Sequence, residues 1–124
     1  MSGIVPVLKD EHQQQPVPTN WRHTLKAVVD AFALGVPLQV PRVRPITPDC
    51  AQAALGNVAS YGATLVCLPE DSWRTSVCQW MLSYWDVLVD LYTAEEGSSD
   101  LVLVVRVFEQ ENDFEFEVES IHVP

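Results

Sequence analysis

Between Trp85 and Phe108 two apolar segments, WDVLVDLYT and LVLVVRVF, flank an acidic loop, AEEGSSD. In the first segment Trp85, Val87, Val89 and Leu91 alternate with Asp86, Leu88, Asp90 and Tyr92. A period of two places the first set on one side of an extended chain and the second on the other. In the second segment Leu101, Leu103, Val105 and Val107 share one face, and Val102, Val104, Arg106 and Phe108 share the opposite one. Both faces are apolar and β-branched residues dominate, the pattern of a central strand covered on both sides. Valine at this density disfavours a helix. The stretch therefore reads as a β-hairpin at the centre of a sheet.

The loop carries its own chemistry. Gly97 accepts a positive φ without a Cβ clash. Ser98, Ser99 and Asp100 can bond to neighbouring backbone groups and hold the turn. Glu95, Glu96 and Asp100 have two readings: ordinary turn residues, or a small anionic mouth for a cation. Their spacing is not that of a calcium loop, whose oxygen ligands alternate around its glycine.

A further strand follows a turn at residues 110–112. Phe114, Phe116 and Val118 alternate with Glu115, Glu117 and Glu119, giving one buried and one polar face. Successive carboxylates lie roughly 7 Å apart on such a strand. They read either as a solvated face that discourages edge pairing or as a comb for lysines and arginines of a partner.

Two helices are expected. Over 21–34, Trp21, Leu25, Val28, Val29 and Phe32 form one apolar stripe, with Thr19 or Asn20 as cap and Gly35 and Pro37 as the stop. Over 48–60, Thr47 is the cap, Pro48 the first helical residue and Asp49 an acid in the first turn, with Gly62 beyond the end. Between them, VPLQVPRVRPI holds three prolines and reads as an extended connection. Its Arg42 and Arg44, two apart, point the same way; they can take an anionic ligand or the protein's own carboxylates. Thr64 to Leu68 reads as a short strand stopped by Pro69. Residues 70–84 fit both periods, with a lean towards a short helix or irregular turn. Trp73 and Trp80 in this stretch are candidates either for the core or for a contact surface. Residues 1–19, with Pro6, Pro16 and Pro18 and a glutamine run, read as a flexible lead-in. The expected fold is thus α+β: a single domain over 20–124, with an antiparallel meander of three to four strands and two helices packed on one face.

Net charge of −10 is distributed unevenly. Residues 1–62 hold five Lys or Arg against four carboxylates, for +1, whereas residues 63–124 hold Arg74 and Arg106 against 13 carboxylates, for −11. Such a body lacks the basic footprint of a nucleic-acid binder and suits a basic protein partner, or simply solubility. Three cysteines, Cys50, Cys67 and Cys78, make an odd count, and residues 1–10 lack the basic start and apolar run of a signal peptide. A reducing cytoplasmic compartment is expected. No apolar run is long enough to span a membrane as a helix.

The residues Tyr92, Thr93, Glu95, Glu96, Gly97, Ser99, Asp100 and Leu101, followed by His122 and Val123 near the end, carry a resemblance. The chain resembles an uncharacterised family of small bacterial domains with an aromatic-Thr-x-Glu-Glu-Gly-x-Ser-Asp-Leu hairpin loop and a closing His-Val. Ser98 stands where that family often carries Arg. The resemblance spans roughly residues 20 to 124 and implies no enzyme activity. Small acidic domains of this type are similar to the immunity proteins paired with bacterial toxins, an analogy of type rather than of motif.

No motif of catalysis stands out. The sequence has no Gly-rich phosphate loop and no G-x-S-x-G elbow. His12, His23 and His122 are scattered without metal-ligand spacing, so neither a metal nor a cofactor is expected. A thiol nucleophile at Cys78 would need a distant histidine that the sequence does not indicate. Three function classes remain. The first is a non-catalytic acidic domain that binds a basic protein, as an immunity protein binds its toxin. The second is a structural or accessory domain, monomeric or dimeric, whose acidity serves solubility. The third is a small enzyme with an unrecognised site. The first is the expectation carried forward, with Glu95, Glu96, Asp100, Glu115, Glu117, Glu119, Trp73 and Trp80 as its contact residues.

Overall fold

A computed structural model describes residues 4–124. Five strands form one antiparallel sheet in sequence order: β1 (Gln15–Pro16), β2 (Val77–Trp80), β3 (Trp85–Thr93), β4 (Gly97–Gln110) and β5 (Asp113–His122). The helices are α1 (Thr19–Leu34) and α2 (Pro48–Tyr61), and a 3-10 turn covers Glu70–Arg74. The fold class is α+β, as expected, but the meander has five strands rather than three to four.

The extra strands come from the segments that the sequence left open. Residues 70–84 split into the 3-10 turn and β2, so both competing periods are used, one after the other. β1 is two residues long and contains Pro16, which is tolerated because it lies on the sheet edge, where a missing N–H breaks no ladder. Thr64 to Leu68 makes only an isolated bridge, Leu65 to Thr93, not a strand.

Strand register puts the apolar sets together. Trp85 faces Val107, Val87 faces Val105 and Val89 faces Leu103. On the other side of β4, Val107 faces Phe116, Val105 faces Val118 and Leu103 faces Ile121. Every one of these side chains is buried. Between Val104 and Val105 the register shifts, because Glu119 is an extra residue in β5. This bulge resets the alternation, so that Ile121, three residues after Val118, joins the core.

Trp21 of α1 sits at the middle of the core. Its ring meets Trp85 edge-on at 5.2 Å and Phe114 at 5.3 Å. Such T-shaped pairs add to the burial of large apolar area. Leu25, Val28 and Val29 complete the buried stripe of α1. The helix starts two residues earlier than expected: Pro18 is its cap residue, and the Thr19 hydroxyl instead accepts from the Val5 amide at 2.7 Å. α2 follows expectation. Thr47 accepts from the Cys50 amide at 3.1 Å, Pro48 opens the helix and Gly62 closes it at φ 83°.

β5 does not present a bare edge. Val43 bridges Phe116 in parallel, with Phe116 N donating to Arg42 O and Arg44 N to Phe116 O, both at 2.8 Å. Farther along, Asn57 of α2 donates to Ile121 O at 2.8 Å and the Cys50 thiol to Glu119 O at 3.5 Å. The lead-in is attached rather than apart: Trp85 Nε1 donates to Leu8 O at 2.9 Å, Gln79 to Glu11 O at 2.9 Å, and Val17 is fully buried.

The second face of β4 is only half covered. Val102 is buried, but Val104, Arg106 and Phe108 keep part of their surface in solvent. The expectation of a strand covered equally on both sides is therefore corrected. Phe108 lies under the Arg44 guanidinium at 4.3 Å and beside Tyr84 at 5.7 Å, and Arg106 covers Tyr84 at 4.8 Å.

Candidate functional site

The hairpin end is built by Ala94, Glu95 and Glu96 between the paired Thr93 and Gly97, with Gly97 at φ 74°. A three-residue loop closed by a left-handed glycine is a standard hairpin solution. Ser99 holds the neck: its hydroxyl donates to Leu91 O at 2.7 Å and accepts from Leu101 N at 3.2 Å.

Two residues distant in sequence fix the acids of this loop. Glu95 accepts from Thr64 N at 2.8 Å and from the Thr64 hydroxyl at 3.0 Å. Those hydrogen bonds, the backbone one first, hold its carboxyl below its ordinary value, so it is ionised at neutral pH. The Tyr61 hydroxyl donates to Glu96 at 2.5 Å and accepts from Asp100 N at 3.2 Å. The Glu96 bond raises the phenol above its ordinary value. Tyr61 is the last residue of α2, which has no basic residue in its last turn. The negative end of that helix dipole thus adds to the same place. Among the described residues, no Lys or Arg lies within 4.0 Å of Glu95, Glu96 or Asp100.

The β5 carboxylates differ. Arg44 donates to Glu115, and to Glu117 at 2.7 Å, from the extended segment beside the strand. Arg42 meets Asp113 at 2.7 Å. Arg106 lies 3.4 Å from Glu119 and 3.8 Å from Asp86. Glu117 is held below its ordinary value, first by the Arg44 bond, whereas burial and then the neighbouring Glu117 push Glu119 up. The three glutamates do share one face, but they are half-buried and answered by the protein's own arginines.

The tryptophans divide in the same manner. Trp73 is 6 % exposed and belongs to the core. Trp80 is half-buried, its ring tilted by 52° against Trp85 at 4.5 Å, with Lys9 over it at 5.2 Å. The sequence brought Glu95, Glu96 and Asp100 to attention but not Tyr61 and Thr64, which position them. The one available signal was Tyr61 at the end of the helix's small-residue face.

The thiols do not form a reactive centre. Cys50, Cys67 and Cys78 are all free. Cys78 is buried, which pushes its thiol up to about 11 and leaves it protonated at neutral pH. Among the described residues no group of three or more His, Cys, Asp or Glu is placed to hold a metal ion, and no helix is long and apolar enough to cross a membrane.

Fold and site together define a small α+β domain with an anionic hairpin end whose glutamates are hydrogen-bonded to Thr64 and Tyr61. The sequence model of DUF7668, a domain of unknown function, matches residues 29–124, and the chain belongs to that family. The match takes in the last six of the 16 residues of α1 and everything after it, and leaves β1 outside. No curated protein and no solved structure matches the chain.

Proposed function

We propose that this chain is a non-catalytic protein-binding domain whose hairpin end meets a basic protein surface, in the manner of an immunity protein that neutralises a basic bacterial toxin. One observation carries the reading. The carboxylates of Glu95 and Glu96 are held by Thr64 and Tyr61, Tyr61 also accepts from the Asp100 backbone N–H, and among the described residues no Arg or Lys lies within 4.0 Å of the three acids, whereas Glu115, Glu117 and Glu119 are answered internally. A fixed anionic group keeps its geometry before the partner arrives, so less ordering is required on binding. Asp100 and the two loop glutamates form the surface; Glu119 is held by Arg106, Glu115 and Glu117 serve Arg44, and Trp80 lies at the other end of β3, so these stay outside it.

We infer further that both helices pack on the sheet face that carries Trp85 and Leu103. Trp21 supports this for α1, and the bonds of Asn57 and Cys50 to β5 carbonyls, with Ala54 buried in the same core, support it for α2. Three free thiols accord with a reducing cytoplasmic compartment.

A second reading has its own observation. An apolar hollow of about 280 Å³ lies between the end of α1 and α2, lined by Phe32, Leu38, Ile46 and Leu55. Leu34, Val36 and Leu55 stand exposed around or beside it. This favours an accessory domain that packs against another protein or a second copy.

The two separate by salt. Electrostatic docking raises the association rate and is screened by added ions. With the partner in hand, stopped-flow association should slow as salt rises, and should slow in Glu95→Gln/Glu96→Gln/Asp100→Asn, which removes charge while keeping acceptors. A rate indifferent to both would move the contact to the apolar hollow.

A further inference from the structure

The charge pattern leaves one cation out of account. Of the seven Lys and Arg residues, six lie within 4.0 Å of a carboxylate. Arg22 is the exception among the described residues, in a chain with 17 carboxylates. It is nonetheless fixed. Its Nε donates to Val17 O at 3.0 Å, and its guanidinium carbon lies 5.5 Å from the centroid of the buried Trp73 ring. The anchored Nε leaves the two terminal nitrogens of the fork for another partner.

Arg22 opens onto a cavity of about 350 Å³, lined also by Thr19, His23, Lys26, Glu70 and Trp73. That volume is within the range of small-molecule sites. Arg22 and Lys26 are four residues apart, and His23 and Lys26 three, so all three lie on one side of α1. Lys26 is tied to Asp30 at 2.5 Å, which leaves Arg22 and His23 as the free basic groups. They stand in the first two turns of the helix, where no acid and no side-chain cap offsets the positive dipole end. Basic residues there cost helix stability.

We propose that this cavity binds a small molecule bearing an oxyanion, a phosphate or a carboxylate, which Arg22 grips in bidentate fashion and His23 flanks. Arg is the residue suited to such planar, two-point recognition. The anchoring on Val17 O and Trp73 orients the fork in advance, and Glu70 supplies an acceptor for a hydroxyl or amine on the same ligand. The site is independent of the hairpin end and of the proposed protein partner.

The test is titration of the full chain with inorganic phosphate and, separately, malonate, followed by NMR at the Trp73 indole N–H and the Arg22 side-chain N–H. A saturable shift with a Kd on the order of 1 mM is expected for at least one of them; which one binds names the ligand class. Arg22→Gln should weaken binding about tenfold or more, and Arg42→Gln should leave it unchanged. If Arg22→Gln does not fold, His23→Ala, at an exposed position, should still weaken it. No saturable shift with either anion, or equal weakening by Arg42→Gln, would overturn the proposal.

Discussion

Arg44 Nη1 donates to Glu117 Oε2 at 2.7 Å, although 73 residues separate the two in sequence. The same guanidinium reaches Glu115 and covers the ring of Phe108. The proline-rich connection is thereby fastened to the last strand. Arg44→Ala should lower stability by about 1 kcal/mol, because the pair is a third exposed and solvent screens it. The sign with pH follows from Glu117, whose carboxyl lies below its ordinary value in the folded protein. Its stabilising share is complete above the unfolded value and is lost as pH falls through the folded one. Urea unfolding at pH 7 and at acid pH should show the gap between the two proteins closing on acidification. An unchanged gap would separate Arg44 from Glu117.

Glu119 behaves in the opposite sense. Burial, and then the neighbouring Glu117, hold its carboxyl above the ordinary value. Its ionised form is therefore a cost at neutral pH; the cost begins to shrink as pH falls through the folded value and is gone below the unfolded one. Glu119→Gln should stabilise the protein at pH 7 by about 0.5 kcal/mol and make little difference in acid. Destabilisation at pH 7 would mean that the contact with Arg106 outweighs burial.

Leu103 is fully buried at the centre of β4, between Val89 and Ile121. Leu103→Ala should cost about 2–5 kcal/mol from lost burial and the cavity left behind. A denaturant midpoint equal to that of the parent protein would remove this residue from the core.

At Gly97 the strain is in the backbone alone. Its φ is +74°, and a Cβ there would meet nothing within 4 Å. Gly97→Val should cost about 1–2 kcal/mol from the left-handed conformation, whereas Gly97→Asn should cost less, since Asn tolerates that region. Equal melting temperatures for the two variants would contradict this.

What the sequence showed depended on how local each signal was. β3, β4 and β5 were legible because their patterns run over six to eight positions, and α2 because Thr47, Pro48 and Gly62 mark both ends. β2 was not, since Trp73 to Tyr84 suits two periods and the structure uses both. β1 was hidden by Pro16, which reads as coil yet is permitted on an edge. The bulge at Glu119 left only the spacing of Val118 and Ile121 as a trace. In the candidate site the acids were visible and their partners were not. Thr64, 31 residues from Glu95, and Tyr61, 35 from Glu96, reach the loop only through the tertiary fold. Arg44 likewise answers Glu115 and Glu117 from a segment whose path cannot be read from its prolines.

The central claim is that the hairpin end docks a basic protein. It is tested most directly by parallel affinity capture from the native host, with the parent chain and Glu95→Gln/Glu96→Gln/Asp100→Asn as baits, read by quantitative mass spectrometry. Both baits should first show the same circular dichroism, since the substitutions keep acceptors for Thr64 and Tyr61. The account predicts a basic protein retained by the parent and lost from the variant. The same basic protein retained equally by both baits, or none enriched by the parent, would contradict it.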